Sequence, residues 1–271
     1  MIEAFMQSFM LRAMLAGILV GFMSSYFGVF IVQRRMSFMG SGLSHAAFGG
    51  VALGILLSTE PLWIAIPFTI IASIGITLLK DKTKLGSDTS IGILFAISVA
   101  LGIIFLSLKR SYTADAFAYL FGSILSVQTS DLIVTMILAL LTVLTFFFYW
   151  SRWAYSTFDR ELASTDRIHV TIDDYVLNIL LAITIVVSVK LVGIILVAAF
   201  LVIPAASARL IAGTFFSMTI ISICLGVISS IIGLITSYIF DLPSGATIIL
   251  VQALIFFIAI AYSKVSIKES I

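Results

Sequence analysis

Long apolar runs repeat along most of this chain, and they constrain its fold more than any other feature. Nine runs have the length that crosses a bilayer, roughly 17–25 residues, and they lie near residues 9–32, 37–57, 61–79, 89–108, 131–150, 173–190, 191–210, 215–240 and 243–262. Only 10% of the residues are charged, against about 25% in a soluble domain. The runs also lack the alternation of barrel strands. We therefore predict an all-α polytopic membrane protein with about 8–9 transmembrane helices.

Two apolar segments differ from the length that crosses a bilayer once. Residues 173–210 are too long for one span, and we predict two spans joined by a turn near Lys190, Val192 and Gly193. The segment DAFAYLFGSILSV, residues 115–127, is too short to cross the membrane. Its length favours a re-entrant or interfacial helix.

Basic residues are distributed unequally between the two ends of the spans. If the N-terminus lies outside, eleven lysines and arginines fall on the inner side and four on the outer side. The positive-inside rule then predicts an outside N-terminus and a cytoplasmic C-terminus, and nine spans give the same parity. We find no basic region with a cleavage site near the N-terminus, so the first run is expected to remain as a span. The chain, 1–271, is expected to form a single transmembrane domain.

Sequence motifs of several enzyme classes are missing. The chain contains no GxxxxGK[ST], HExxH or GxSxG motif, which argues against a P-loop nucleotidase, a zinc protease and a serine hydrolase of those types. The single cysteine, Cys224, excludes a cysteine-built metal site and is interpreted as a small buried hydrophobic residue. We expect the chain not to be an enzyme itself, and we expect no nucleic-acid partner.

A histidine inside a predicted span is the clearest candidate for function, because polar groups are costly in lipid. With a span that starts near Ser37, His45 lies about 12 Å along the helix, close to the middle of a core about 30 Å thick. Ser41 lies one turn earlier on the same face. Beside them runs a stripe of small residues that lets another helix approach closely: Gly42, Ala46, Gly50 and Gly54. His45 is either a hydrogen-bonded structural residue or a metal ligand that lines a cavity.

Three aspartates and a proline are further candidates. Asp115 opens the short segment and is either an N-cap or a carboxylate that faces a metal. Asp131 and Asp173 begin predicted helices and are interpreted as caps. Pro204 is expected to kink its span and to free the carbonyl of Phe200. Such a kink is either structural or part of a cavity wall.

The longest polar segment, residues 151–172, lies on the predicted inner side. Leu162 and Ile168 alternate with charged residues there. This pattern fits a short helix on the membrane surface or on a partner, and it fits an ordinary solvated loop equally well.

Three segments together resemble the signature segments of the permease subunits of zinc/manganese ABC importers: RRMSFMGSGLSHAAFGGVALG, DAFAYLFGSILSV and KLVGIILVAAFLVIPAASARLIA. The resemblance implies the fold of a type II ABC importer permease, present as a homodimer in the lipid bilayer of the bacterial inner membrane. It also implies separate cytoplasmic ATPase subunits and an extracytoplasmic metal-binding protein. Zn²⁺ or Mn²⁺ would be the transported substrate, with no permanently bound cofactor.

The resemblance also implies roles for single residues. The segment DRELASTDRI becomes the coupling helix that docks on the ATPase, through Asp159, Glu161, Ala163 and Asp166. Arg167 departs from the family pattern, in which glycine is common. His45 matches a family histidine of the metal path, and Asp115 matches the acidic position before the YLFG run. Ser41 stands where the family usually has aspartate.

Our hypothesis is an importer permease in which His45 and oxygen ligands hold the cation briefly, because weak coordination suits release. An imidazole without the carboxylate at position 41 favours zinc over manganese. Import of manganese or iron(II) by the same family is the first alternative. A secondary transporter would need ionisable residues in the bundle, and apart from His45 the spans have almost none. A membrane scaffold would not need a loop helix that binds an ATPase.

Overall fold

The computed structural model describes residues 8–83, 85–109, 124 and 127–269, and it contains helices but no strand in these ranges. The helices, numbered along the described chain, are α1 (Ser8–Gln33), α2 (Met39–Leu56), α3 (Pro61–Lys82), α4 (Ser87–Leu108), α5 (Thr129–Phe148), α6 (Trp150–Phe158), α7 (Arg160–Thr165), α8 (Val170–Val192), α9 (Ile194–Ile211), α10 (Phe215–Phe240) and α11 (Ser244–Glu269).

Nine helices in the described part are long and apolar enough to cross a membrane, and they coincide with the nine predicted runs. The division of residues 173–210 into two spans is confirmed, because α8 ends at Val192 and α9 begins at Ile194. Between them, Gly193 has a φ of 84°. Such a backbone is strained for any residue with a Cβ atom, and glycine adopts it readily. The sharp turn between the two spans therefore depends on Gly193.

The chain divides into two compact units, which we describe separately. The first unit contains α1, α10 and α11 with the first part of α5 and most of α9. The second contains α2, α3, α4, α6, α7 and α8 with the remaining parts of α5 and α9. The single-domain organisation of the chain stays a prediction.

In the first unit, α1 packs so closely on α9 and α10 that main chains nearly touch. A Cβ atom on Gly28 would lie 2.1 Å from the carbonyl oxygen of Leu201 on α9. The Ser222 hydroxyl of α10 donates a hydrogen bond of 3.0 Å to the carbonyl of Ser25 on α1. Membrane helices commonly associate through small residues and interhelical hydrogen bonds, and this unit uses both.

In the second unit, α2 lies against both α3 and α4. A Cβ atom on Gly50 would lie 2.6 Å from the Cα atom of Ala65 on α3, and one on Gly42 would lie 2.4 Å from the Ile91 side chain on α4. The predicted stripe of small residues is thus a helix contact surface. It receives two neighbouring helices rather than one.

Hydrogen bonds inside the second unit join α3 to α8. The Ser73 hydroxyl donates to the carbonyl of Asn178 at 2.9 Å, and the Asn178 amide donates to the Thr77 hydroxyl at 3.0 Å. All three side chains are buried. Bonds of this kind contribute about 0.6 kcal/mol each on average in membrane proteins. They hold α3 and α8 in one register.

The predicted caps Asp131 and Asp173 have different outcomes. Helix α5 begins at Thr129, so Asp131 is its third residue rather than its N-cap, and its carboxylate accepts a hydrogen bond of 3.2 Å from the amide of Gln128, which precedes the helix. This is the bond that the acidic residue of a capping box makes, so Asp131 caps the start of α5. Asp173 lies inside the first turn of α8 and is buried. Its carboxylate is paired with an arginine, as described below, which the local sequence could not indicate.

Two other predictions concern the burial of Cys224 and the short segment 115–127. Cys224 is exposed on α10 rather than buried, because α10 packs through the face that carries Ser222 and Gly226. The segment 115–127, predicted to be a re-entrant helix, lies outside the described residues except for Ile124 and Val127.

Candidate functional site

His45 lies on α2, half-buried, with its ring fixed by the preceding turn. Its Nδ1 atom is 2.8 Å from the backbone carbonyl oxygen of Ser41. The helix begins at Met39, two residues later than predicted, because a turn with a left-handed Arg35 (φ 56°) precedes it. His45 therefore lies about 9 Å along the helix at 1.5 Å per residue, nearer its start than the sequence indicated.

The bond to Ser41 determines which ring nitrogen of His45 is available. A carbonyl oxygen only accepts hydrogen bonds, so Nδ1 carries the proton and donates. In the neutral ring Nε2 then keeps its lone pair. Metal-binding histidines usually have one nitrogen fixed in this way by a carbonyl or a carboxylate. The orienting group is the main chain of Ser41 and not its hydroxyl.

The ring of His45 stands at the edge of the contact between α2 and α4. It packs edge-on against Phe95 of α4, with ring centroids 4.9 Å apart and an interplanar angle of 72°. One turn towards the start of α2, Gly42 lies against Ile91. This placement agrees with the sequence-based expectation that His45 borders a tight helix contact.

The described residues contain no group of three or more histidine, cysteine, aspartate or glutamate side chains that could hold a metal ion. Asp115, the predicted carboxylate partner, lies outside the described part of the chain. The structure thus brings His45 together with Ser41, while the roles of both residues and of Asp115 in metal binding stay predictions. A site with few protein ligands suits an ion that must leave again.

Pro204 is buried within α9. As predicted, proline leaves the Phe200 carbonyl without its usual helical partner. The Ser25 hydroxyl of α1 lies 3.5 Å from that oxygen and donates to it. The freed carbonyl is therefore satisfied inside the first unit, which favours a structural role for the proline. A kink of α9 and a role of Pro204 in a metal pathway stay predictions.

The polar segment 151–172 contains two short helices, α6 and α7, and the predicted coupling segment 159–168 contains α7. Asp159 caps α7, because its carboxylate accepts a hydrogen bond of 2.8 Å from the Leu162 amide. Ala163 is fully buried, whereas Glu161 and Asp166 are exposed. One face of α7 thus packs on the protein and the other faces outwards. The solvated-loop alternative is wrong, since the segment is helical and anchored.

The backbone conformation of Arg167 shows why glycine suits this position. It has a φ of 61°, and the Ile168 amide donates back to the Ala163 carbonyl at 3.1 Å. This is the bond pattern of a Schellman motif, whose left-handed residue follows the helix end and is usually glycine. The arginine keeps the turn at the cost of backbone strain.

Replacing Arg167 with Gly should therefore stabilise the protein by roughly 0.5–1 kcal/mol. The relief of left-handed strain, about 1–2 kcal/mol, exceeds the added backbone entropy of glycine, about 0.5–1 kcal/mol. Thermal unfolding of the purified protein measures the change. Arg167→Ala is the matched control, because it removes the same side chain but keeps Cβ. Equal stability of the Gly and Ala variants would contradict this explanation.

Side-chain contacts that the sequence did not reveal hold these short helices in place. The Tyr155 hydroxyl donates to the Asp166 carboxylate at 2.6 Å, and this hydrogen bond raises the pKa of Tyr155 to about 12. Arg152 pairs with Asp173 at 2.9 Å, and Arg160 pairs with Asp174. The only sequence signal was opposite charge, with arginines in the loop and two adjacent aspartates at the start of α8.

A surface pocket of about 430 Å³ opens beside α7. Its walls come from α7, the turn after it and the start of α8, namely Arg160, Glu161, Ser164, Ile168, His169, Val170, Thr171 and Ile172. Apolar residues of the same loop are exposed, namely Phe158 at 61% and Leu162 at 50%. This end of the second unit therefore presents both a concave surface and uncovered apolar side chains.

Within the described residues, nine helices long and apolar enough to cross a membrane make this a polytopic membrane protein. The chain belongs to the ABC 3 transport family, whose model matches residues 6–263. It is similar to the manganese transport system membrane protein MntC of Listeria monocytogenes, with 38% identity over 97% of this chain and 94% of the relative. The high-affinity zinc uptake system membrane protein ZnuB of Haemophilus influenzae is 34% identical over 92% and 95%.

A solved structure has the same fold. PsaBC from Streptococcus pneumoniae in complex with Fab contains a chain that is 36% identical to this one, with a TM-score of 0.83 over 96% of this chain and 95% of the other. The predicted resemblance and the all-α polytopic fold are therefore confirmed. The chain is a transmembrane permease of an ABC system for manganese or zinc.

Proposed function

We propose that this chain carries Zn²⁺ or Mn²⁺ inward across the bacterial cell membrane while a separate subunit hydrolyses ATP. The observation that carries the proposal is the His45 ring in a span, with its Nδ1 atom hydrogen-bonded to the Ser41 carbonyl. Nε2 is then the nitrogen that would bind the ion. The cation would arrive from an extracytoplasmic binding protein, bind His45 and oxygen ligands in transit, and leave to the cytoplasm.

The choice between the two metals depends on two opposing arguments. Imidazole with serine at position 41, in place of a carboxylate, favours zinc, because carboxylate oxygen suits the harder manganese ion better. Relatives from Listeria, Streptococcus and Halalkalibacterium are named for manganese, and the relative from Haemophilus influenzae is named for zinc. Manganese therefore fits at least as well as zinc, and iron(II) is a third candidate.

Helix α7 is the proposed docking site for the ATPase. Glu161 is exposed on the pocket wall, and Phe158 and Leu162 leave apolar surface uncovered. Exposed apolar patches rimmed by polar residues commonly mark protein interaction sites. The buried Ala163 and the capped start of α7 hold this surface rigidly, as transmission of a force requires. The complete importer would contain a second copy of this chain.

Charge reversal tests this docking site. Glu161→Lys should lower recovery of the ATPase with the purified permease by roughly tenfold, as expected for loss of about 1.4 kcal/mol of interface energy. Co-purification from membranes is the measurement. Asp88→Lys is the matched control, because Asp88 is exposed and lies on the same predicted side. Equal ATPase recovery with both variants would remove α7 from the interface.

The proposed orientation places the N-terminus outside. In a Cys224→Ser background, cysteines at the exposed positions 83 and 165 should react with an impermeant thiol reagent only from the cytoplasmic side. A cysteine at the exposed position 59, between α2 and α3, should react only from outside. The prediction follows from the excess of basic residues on the inner side. The reverse labelling pattern would overturn the orientation.

A further inference from the structure

Arg160 is the only described residue of α7 whose side chain forms ion pairs with two membrane-spanning helices. One guanidinium nitrogen pairs with the Asp174 carboxylate on α8, and the other lies 3.8 Å from a carboxylate oxygen of Asp81 on α3. The planar guanidinium has nitrogens that point in different directions and can serve two carboxylates at once. We call these two contacts the Arg160 bridge.

The two carboxylates of the Arg160 bridge differ in their surroundings. The Asp174 side chain is only 7% exposed, so its charge needs the arginine. The Asp81 side chain is 30% exposed and lies in the last turn of α3. An acidic residue is unfavourable there, because the helix C-terminus carries partial negative charge. The positive charge of Arg160 offsets this cost. The contact with Asp174 anchors the arginine on α8, and the contact with Asp81 links it to α3.

From Asp81, a continuous set of contacts within the second unit leads to His45. Helix α3 packs against α2 where Gly50 meets Ala65, with no room for a Cβ atom. It is also tied to α8 through Ser73 and Asn178. Interfaces this tight cannot deform gradually, and packed elements shift as units. A displacement of α7 that moves α3 therefore also displaces the helix that carries His45.

We propose that Arg160 is a positioning residue that transmits movement of the ATPase docking helix to α3, and through α3 to the metal-binding helix α2. The inference rests on the proposed function of α7 as the docking site. It assigns Arg160 to coupling rather than to ATPase binding, because its two terminal nitrogens face the carboxylates of Asp81 and Asp174.

Asp81→Asn is the decisive variant, because it keeps the size of the side chain and leaves the Asp174 pair intact. The complete complex with its ATPase and binding protein is reconstituted in proteoliposomes. The measurement is the number of metal ions taken up per ATP hydrolysed. We expect normal ATPase association and ATP hydrolysis, with a fall in ions per ATP of roughly fivefold or more, the lower end of typical coupling strengths.

Three further variants sharpen the test. Arg160→Lys should resemble Asp81→Asn, because one ammonium can neutralise Asp174 but does not offer a fork to both carboxylates. The double variant Arg160→Lys/Asp81→Asn should be no worse than either single one, since the two act through one contact. Lys82→Gln is the control: it removes an exposed charge beside Asp81 and should leave the ratio unchanged.

Two results would overturn the bridge. One is a wild-type ratio of ions per ATP in Asp81→Asn. The other is a loss of ATPase association in Arg160→Lys with Asp81→Asn unaffected, which would make Arg160 a direct contact of the ATPase. Failure of the proposed function looks different, because the wild-type permease itself would then neither bind the ATPase nor take up metal.

Discussion

Replacing Gly28 with Ala should reduce folding of the permease sharply, with an expected loss of about 3 kcal/mol or more, at the upper end for overpacked sites. The added methyl group would lie 2.1 Å from the Leu201 carbonyl oxygen. The methyl carbon is fixed directly to the α1 backbone and the carbonyl belongs to the α9 backbone, so neither can move aside and the two helices would have to separate. The yield of monodisperse protein in detergent and its thermal unfolding temperature are the measurements.

Gly92→Ala is the matched control for that experiment. Gly92 also lies inside a helix, α4, but a Cβ atom there would meet nothing within 4 Å. Alanine is favoured over glycine inside helices by about 0.8–1.0 kcal/mol, so this variant should be as stable as the wild type or more so. If Gly28→Ala unfolds at the same temperature as Gly92→Ala, the close packing of the first unit is wrong.

Replacing His45 with Gln should abolish most transport while the permease still assembles with its ATPase. Glutamine keeps much of the size and hydrogen-bonding ability of histidine but binds transition metals poorly. Loss even of a group that only orients a metal ligand costs about 10–100-fold in affinity or activity, so we expect a decrease in uptake of roughly 100-fold. Assembly and thermal stability are measured alongside. Wild-type uptake in the Gln variant would leave His45 as a structural residue.

Ser41→Asp tests the choice of metal by adding a possible ligand, whereas His45→Gln removes one. It restores the aspartate that the resemblance leads us to expect one turn before His45. A carboxylate favours the harder manganese ion, so the ratio of manganese to zinc uptake should rise. The bond from His45 uses the main chain at position 41, so the substitution leaves the orientation of the ring intact. An unchanged ratio would show that position 41 does not contact the ion.

Much of the fold could be predicted because the signals were local. A continuous apolar run in the sequence predicts each span. The turn between α8 and α9 is indicated by Gly193, because glycine can adopt a positive φ. The four-residue spacing of small residues predicted the contact stripe on α2. The start of α2 was predicted less accurately, because no glycine or proline marks the turn at Arg35.

The ion pairs of the loop could not be predicted in the same way. Arg152 and Asp173 are 21 residues apart, and Arg160 and Asp174 are 14 apart. Such pairs depend on how the short helices fold back on α8, and no periodicity in the sequence encodes this. The interpretation of Asp173 as a simple cap failed for that reason. The left-handed backbone conformation of Arg167 could not be predicted either, because arginine has no preference for a positive φ.

We propose that this chain is the membrane pathway of an ATP-driven importer for zinc or manganese. The most direct measurement is metal uptake into proteoliposomes that contain the permease, its ATPase and its binding protein, compared for Zn²⁺, Mn²⁺, Ca²⁺ and Mg²⁺ with and without ATP. We expect ATP-dependent uptake of Zn²⁺ or Mn²⁺, none of Ca²⁺ or Mg²⁺, and loss of the signal in His45→Gln. Uptake that does not depend on ATP, or no uptake of either transition metal, would contradict the claim.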